Sequence, residues 1–178
     1  MTDTALQPTD AKVAHPLDPV SAAEYLAGRQ VMAAAGLLPE SVRFAYYGLD
    51  EPHKNDVLSG GQAPDRRLRA FLIDMRSGES TDVVVSLTRE VVVSSRVLDT
   101  RTDGQMPIIN EDFAVAEEFV RADPQWRAAM ARRGLTDVTK IRTCPLTAGS
   151  FDLPDEDGRR MVRVLAFVQA DPQDYAWS

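Results

Sequence analysis

Two stretches of the chain share one pattern of polar and apolar positions, residues 65–75 (DRRLRAFLIDM) and residues 158–169 (GRRMVRVLAFVQ). Each places an Arg-Arg pair directly before an apolar, partly β-branched run. Such a run is typical of a strand that enters a sheet from a charged turn. The pattern therefore predicts one Arg-Arg strand in each half of the chain.

The sequence that precedes these strands repeats as well. Gly36 and Leu37 come before Arg43 in one half, as Gly134 and Leu135 come before Arg142 in the other. The order helix, Gly-Leu, strand, acidic loop and Arg-Arg strand thus occurs twice, which predicts a duplicated domain. When the arginines are aligned, however, the apolar runs slip by one residue, and such a slip exchanges the two faces of a strand.

The first half predicts one helix and four antiparallel strands. Ser21 and Glu24 have the spacing of a capping box, and Gly36 supplies the left-handed residue that ends the helix near Ala35. Its predicted inward stripe is Ala23, Leu26, Ala27, Val31 and Ala34. The strands are predicted at residues 42–49, the Arg-Arg strand, 82–87 and 91–98, with a loop over residues 50–64.

The second half predicts a helix that begins at Asn110 or Glu111 after a linker over residues 100–107. The residues at its inward helical spacing are Phe113, Ala116, Phe119 and Val120. Asp123 and Pro124 predict a fresh helix start, because proline is tolerated in the first helical position. Pro145 confines the predicted strand 139–147 to an edge or a bulge.

These elements predict an α+β fold of two duplicated domains, each with a helix packed on an antiparallel sheet. Residues 1–16 are a predicted disordered lead-in, residues 17–102 the first domain and residues 103–178 the second. After its Arg-Arg strand the first domain continues for two more strands, whereas the second has no further strand-length apolar run. We therefore expect the second domain to lack its last two strands and the chain to be a piece of a longer protein.

Composition narrows the class of protein. The formal charge of −7 over 178 residues argues against nucleic acid or an anionic membrane as the main partner. Cys144 is the single cysteine, so no internal disulfide can form. The N-terminal residues do not have the pattern of a signal peptide, and no apolar run approaches membrane-spanning length. A soluble cytoplasmic protein is the expectation.

Four longer stretches carry a resemblance to a known family: AAAGLLPESVRFAYYGL, DRRLRAFLIDMRSG, KIRTCPLTAGSFD and GRRMVRVLAFVQADPQDYAW. From about His15 to Trp177 the chain resembles the N-terminal region of the copper-containing (topaquinone) primary-amine oxidases. The resemblance implies the second and third N-terminal domains of that family, two small α+β domains with a cystatin-like fold. It also implies a homodimer for the intact enzyme and the catalytic domain as the missing partner.

The family's chemistry is not carried by this chain. Members oxidise primary amines to aldehydes with a quinone made from a tyrosine in an Asn-Tyr-Asp/Glu motif and with copper on three histidines. Here no tyrosine follows an asparagine, and the two histidines, His15 and His53, are far apart. We expect no catalytic residue, metal ligand or cofactor in this chain. The resemblance does place Phe113, Leu146 and Trp177 at the mouth of the family's substrate channel.

Other candidate sites have plainer explanations. A phosphate site could use two groups of arginines, which are Arg66, Arg67 and Arg69, and Arg159, Arg160 and Arg163. Pairing with nearby acids such as Asp65, Asp155, Glu156 and Asp157 is the alternative that we favour. The run 155–158 resembles a calcium loop but lacks the alternating ligands and the closing glutamate. Cys144 has no histidine near it in sequence and is expected to be a half-buried strand residue.

Two functional hypotheses follow from the sequence. The first is a non-catalytic N-terminal portion of a primary-amine oxidase, which packs on the catalytic domain and shapes the channel entrance. The second is a free-standing interaction module that binds a partner by strand addition at its open sheet edge. An enzyme in its own right is disfavoured, because no convergent acid, base or nucleophile is visible.

Overall fold

The structure, a computed structural model, describes residues 15–59, 64–149, 151, 153–156 and 158–175. The described chain divides between Asp99 and Thr100 into two compact units, which we call the first unit and the second unit. Trp177 and the residues before His15 lie outside the described part. No helix in the described ranges is long and apolar enough to cross a bilayer.

The first unit is one long helix against a four-stranded antiparallel sheet, as the sequence predicts. The sheet order is β1-β2-β3-β4, and each strand pairs with the next along the chain. The elements are α1 (Ala22–Ala34), β1 (Val42–Leu49), α2 (Lys54–Leu58), β2 (Arg67–Asp74), β3 (Ser80–Ser86) and β4 (Val91–Val97). The short helix α2 interrupts a segment for which the sequence predicts only a loop.

The capping box of α1 is confirmed, but its predicted inward stripe is wrong. Ser21 accepts a hydrogen bond from the backbone N–H of Glu24, whose carboxylate accepts one from the Ser21 N–H. Of the predicted stripe, Val31 packs against the core, whereas Ala23, Leu26, Ala27 and Ala34 are exposed. The core side of the helix carries Tyr25, Gly28 and Met32 instead.

Helix α1 turns Gly28 toward the core because helix and sheet approach each other closely at this residue. A Cβ atom on Gly28 would lie 2.3 Å from the Tyr47 hydroxyl and 2.9 Å from Cδ1 of Leu68. Only glycine admits such an approach, so the helix turns this position inward although glycine contributes no apolar side chain. The buried core below it consists of Met32, Leu68, Ala70, Leu72, Val83 and Val85.

The second unit contains helices against a two-stranded antiparallel sheet. Its elements are α3 (Asn110–Ala122), α4 (Pro124–Arg132), a 3₁₀ turn at Val138–Lys140, β5 (Ile141–Thr147) and β6 (Val162–Val168). The predicted fresh start at Pro124 is confirmed, because Asp123 caps α4 by accepting from the Gln125 N–H. The predicted α+β class is thereby confirmed for both units.

The predicted inward face of α3 is partly wrong. Ala116 and Val120 are half-buried, as expected, but Phe113 is 43% exposed and Phe119 is 78% exposed. At about 100° per residue, Asp112, Ala116 and Val120 form one narrow arc, and the two phenylalanines lie on either side of it. Two strands are too narrow a surface to cover both flanks of the helix.

Candidate functional site

Arg66 connects the start of β2 to the start of α1. Its Nε donates to Oε1 of Glu24 at 2.8 Å, and its Nη2 lies 3.4 Å from Oε2. The remaining N–H groups donate to the backbone carbonyls of Pro16, Asp18 and Pro19. The side chains of the ion pair are only 12% and 16% exposed. One guanidinium thus holds the first turn of the helix and the segment that leads into it.

Arg160 makes the same connection in the second unit. Nη1 and Nη2 donate to the two carboxylate oxygens of Asp112 at 2.6 and 2.5 Å, and Nη2 also donates to the carbonyl of Pro107. Asp112 in turn accepts the backbone N–H of Ile109, which is the N-cap residue of α3. We call these two arrangements the arginine clamps.

The clamps are equivalent position by position. Glu24 and Asp112 are both the third residue of their helix, and Pro19 and Pro107 both lie two residues before the N-cap. The strands agree, since Ile73 lies opposite Arg43 and Phe167 opposite Arg142. Arg66 therefore corresponds to Arg160 and not to Arg159, which removes the one-residue slip in the alignment of the two Arg-Arg pairs.

The electrostatics of the two clamps also match. Burial raises the pKa of the Glu24 carboxyl, but hydrogen bonds from Arg66 and Ser21 outweigh burial and lower it below its usual value. Burial likewise raises the pKa of Asp112, and hydrogen bonds from Arg160 and the Ile109 N–H bring it below its usual value. Both carboxylates are thus held in the charged form that the clamp requires.

The other arginines of the suspected phosphate patch are also engaged. Arg67 pairs with Asp65, Arg69 with Asp82 and Arg163 with Glu156, while Arg159 donates to the carbonyl of Asp155. These contacts favour pairing over phosphate binding. The sequence suggested acids close by along the chain, and for Arg66, Arg69 and Arg160 that expectation is wrong, because their partners lie on other elements of the fold.

The carboxyl of Asp65, just before β2, has a strongly lowered pKa. Burial raises its pKa, but hydrogen bonds from Ser86, Arg67 and Arg89 lower it to about 2. The Ser86 hydroxyl donates to Oδ1 at 2.6 Å, and the two arginines share Oδ2. This arrangement ties the turn between β3 and β4 to the start of β2. It is a structural role rather than a catalytic one.

The structure describes two of the three predicted channel residues. Phe113 lies on α3, and Leu146 lies on β5, where it is 46% exposed. Ile141 and Pro145 are buried on one face of β5, and Leu146 points to the other face. The two residues therefore lie in different layers of the unit. Trp177 falls outside the described residues, and the channel role of all three stays a prediction.

The face of the β5–β6 sheet that carries Leu146 is largely apolar, and we call it the outer face. It is formed by three cross-strand pairs, which are Arg142–Phe167, Cys144–Leu165 and Leu146–Arg163. Leu165 is 44% exposed, and Arg163 lies over the ring of Phe151, which is itself exposed. Cys144 is half-buried in β5, as predicted. An apolar face of this kind is typical of a surface that packs against another layer of protein.

A cavity of about 810 Å³ lies within the second unit. It is bounded by residues 100–108, the end of β5 at residues 147–149 and residues 158–162 before and in β6. Phe113 and Leu146 do not line it. Its wall contains Arg160, whose Nε is a buried nitrogen without a hydrogen-bond partner among the described residues.

No metal site forms in the part of the chain that the structure describes. It contains no group of three or more histidine, cysteine, aspartate or glutamate side chains that could hold an ion. His15 and His53 are both exposed, and His15 accepts a hydrogen bond from the Leu17 N–H in a turn. Asp157, a member of the suspected calcium loop, lies outside the described residues. The donor set of this chain does not fit a copper site of three histidines.

Sequence comparisons show which known proteins the chain is similar to. Residues 21–95 match a family model described as the AGAO-like N2 domain. Histamine oxidase of Arthrobacter globiformis is 42% identical over 168 residues, which are 94% of this chain and 24% of the relative. Primary amine oxidase of Arthrobacter sp. (strain P1) is 37% identical over 166 residues, 92% of this chain and 25% of the relative.

The fold of the chain is also similar to part of a solved structure. The crystal structure of a copper-containing benzylamine oxidase from Hansenula polymorpha superimposes with a TM-score of 0.68 at 20% identity, over 90% of this chain and 26% of that one. At this identity the match shows the fold alone. The chain spans about a quarter of the length of the relatives that it matches.

Proposed function

The chain belongs to the copper amine oxidase family and matches its N-terminal region. From this premise we propose that it is the non-catalytic front part of a primary-amine oxidase. The observation that carries this proposal is the exposed apolar outer face, together with a sequence match that covers only about a quarter of each relative. The outer face would pack on the catalytic part of the same enzyme.

The reaction would take place on residues outside this chain. Copper and topaquinone would supply the chemistry there, which converts a primary amine, oxygen and water into an aldehyde, ammonia and hydrogen peroxide. The chemistry of the donor set supports this division of labour, because the two histidines of the sequence, His15 and His53, are too few for a copper site of three histidines. The tyrosines also lack the preceding asparagine of the quinone motif.

Within this proposal, the second unit helps to shape the entrance of the substrate channel. Leu146 supports the idea, because it is a large apolar side chain on the outer face that is 46% exposed. Phe113, which lies on α3 in a different layer, supports it by its 43% exposure alone. Such side chains are common linings of ligand pockets. Trp177 would complete the entrance, and a homodimer would be the assembled state of the enzyme.

The first test is the mass of the native gene product, detected in source cells with an antibody raised against this chain. We expect a species several-fold heavier than the 19.6 kDa of the chain. That species should release hydrogen peroxide when a primary amine is added. A native product of 19.6 kDa would instead support the free-standing interaction module and would refute the oxidase proposal.

The proposed role of Leu146 at the channel entrance is tested with a separate variant of the longer product. Leu146→Asp should lower kcat/KM for amines, because a charge would stand at an apolar entrance. Val97→Asp is the matched control, since Val97 is another exposed apolar strand residue, 56% exposed in the first unit. Equal kinetics for Leu146→Asp and the unmodified enzyme would exclude Leu146 from the entrance.

A further inference from the structure

An Asp-Gly pair lies in an exposed turn at the start of the second unit. Residues 100–103 form the turn, Gly104 follows it directly, and residues 101–105 are all exposed. The pair contains both reactants of one covalent reaction, which are the side-chain carboxyl of Asp103 and the backbone nitrogen of the next residue. Whether these two groups react depends on the geometry of the turn.

The backbone N–H of Gly104 is not used by the fold. It has no hydrogen-bond partner within the described ranges. A backbone nitrogen in a helix or a sheet is held in place by the hydrogen bond that its N–H donates. The nitrogen of Gly104 is not held in this way, so it can turn toward the neighbouring carboxyl group of Asp103.

The space around Gly104 is open as well. A Cβ atom at this position would meet no heavy atom within 4 Å. The residue has a φ of +88°, in the region that glycine adopts without steric cost. Neither a side chain of its own nor a close neighbour therefore shields its nitrogen. By contrast, the residue after Asp82 is a valine and the residue after Asp112 is a phenylalanine.

The turn is tied at both ends to the segment before β6. The Thr100 hydroxyl donates to the carbonyl of Gly158 at 2.9 Å, and the side-chain amide of Gln105 donates to the carbonyl of Arg159. These two acceptors are consecutive residues, and the next residue is Arg160, whose guanidinium forms the clamp of the second unit. The main chain across the turn therefore has the length that two neighbouring carbonyls require.

We propose that Asp103 is a site of spontaneous isomerisation to isoaspartate, through attack of the Gly104 nitrogen on Cγ of Asp103. The N–Cγ bond forms and the carboxyl C–OH bond breaks, and the hydroxyl leaves as water with the proton of the amide. The product is a cyclic succinimide. Water then adds to the former backbone carbonyl of Asp103 and breaks its bond to the nitrogen. One water leaves and one returns, so no co-reactant is needed and the chain keeps its mass.

The rearrangement lengthens the main chain between the two anchors of the turn. In isoaspartate the backbone runs through Cβ and Cγ, and the α-carboxylate becomes the side group. The hydrogen bonds of Thr100 and Gln105 to neighbouring carbonyls can then no longer both keep their geometry. Because Arg160 follows these carbonyls directly, we expect the second unit to become less stable when Asp103 isomerises.

Peptide mapping tests the site after incubation of the folded chain at mildly acidic pH. Tryptic digestion releases residues 102–121, which contain Asp103 and, as an internal control, Asp112. The Asp112 carboxylate is bound by Arg160 and should not react. Electron-transfer fragmentation distinguishes isoaspartate from aspartate at each position. We expect isoaspartate to form at Asp103 about as fast as in a free synthetic peptide of residues 102–121. A far slower reaction in the folded chain would overturn the proposal.

Asp103→Glu gives the second readout. Glutamate keeps the charge, but its carboxyl lies one methylene farther out, and the larger ring closes much more slowly. After incubation, the unmodified chain should show a thermal transition roughly 4–8 °C lower, as expected for the loss of about one hydrogen bond in a domain of this size. The variant should keep its Tm. Equal losses in both chains would overturn the inference, because the second Asp-Gly pair, at residues 157–158, is present in both. Both tests use this chain, so their outcome is independent of the proposed function.

Discussion

Arg160 binds Asp112 through both terminal nitrogens of its guanidinium, at 2.6 and 2.5 Å, and so joins the segment before β6 to the first turn of α3. The same carboxylate accepts the N–H of Ile109, so it also caps the helix. Arg66 and Glu24 do the same in the first unit. Each clamp therefore fixes the point at which a helix begins on its sheet.

We expect Arg160→Gln to lower the free energy of unfolding of the second unit by on the order of 2 kcal/mol. The ion pair is 24% and 13% exposed, so its loss should lie between that of a surface pair and that of a buried pair. The variant leaves the Asp112 carboxylate half-buried without its partner. Urea unfolding followed by circular dichroism measures the change.

Arg159→Gln is the matched control for this prediction. Arg159 is exposed, and among the described residues its guanidinium donates only to the carbonyl of Asp155, at 3.3 Å. It should change the unfolding free energy by less than about 0.5 kcal/mol. If Arg159→Gln were the more damaging of the two, the equivalence of Arg66 with Arg160 would be wrong.

Local signals in the sequence predicted the fold well. The capping box at Ser21, the proline start at Pro124 and the strand periods depend on residues a few positions apart, and the structure confirms them. These local signals could not predict which side of α1 faces the core. That orientation depends on the contact between Gly28 and Tyr47, which only the paired sheet brings together.

The arginine clamps were missed for a related reason. Arg160 and Asp112 stand far apart in sequence, and acids nearer to Arg160 looked like its partners. The acid that each clamp arginine binds is the third residue of a helix, where it already caps the helix through its carboxylate. Its position in the helix, and not its distance from the arginine in sequence, therefore identifies it as the partner. A search for an acid at that position, five residues after a proline, could have found both clamps.

We expect low pH to decrease the free energy of unfolding of the first unit, because the Asp65 carboxylate becomes protonated. Its pKa is lowered from 3.8 in a free carboxyl to about 2 in the folded chain, so the folded state favours the charged form. The resulting stabilisation is fully present above pH 3.8 and is lost as the pH falls through about 2. We therefore expect Asp65→Asn to flatten the pH dependence of the unfolding free energy between these values.

Glu90→Gln serves as the control for the acid prediction, because Glu90 is exposed in the neighbouring turn between β3 and β4. It should keep the pH dependence of the unmodified chain. Acid titrations of both variants, each followed by urea unfolding, make the comparison. An unchanged slope for Asp65→Asn would show that the hydrogen bonds from Ser86 and the two arginines do not hold this carboxylate in its charged form.

Gly28→Ala should destabilise the first unit by about 1–3 kcal/mol, although alanine is the better helix former. The new Cβ atom would lie 2.3 Å from the Tyr47 hydroxyl. That hydroxyl is not free to move away, since it donates to the carbonyl of Tyr25 and its ring packs against Tyr25. Thermal unfolding measures the loss.

The double variant Gly28→Ala with Tyr47→Phe separates this contact from other effects. Removing the hydroxyl removes the closest clash, so the double variant should lose less stability than the two single losses added together. Simple additivity would mean that Leu68, whose Cδ1 lies 2.9 Å from the same Cβ position, causes the destabilisation instead.

Thr143→Val should stabilise the second unit by about 1 kcal/mol. The hydroxyl of Thr143 is buried and has no hydrogen-bond partner among the described residues, and it lies on the same face of β5 as the buried Ile141 and Pro145. Valine has nearly the same shape and leaves no polar atom unsatisfied. Thr147→Val, at an exposed position of the same strand, is the control and should be close to neutral. A loss of stability for Thr143→Val in urea unfolding would show that the hydroxyl has a partner in solution, since removing a bonded hydroxyl costs free energy.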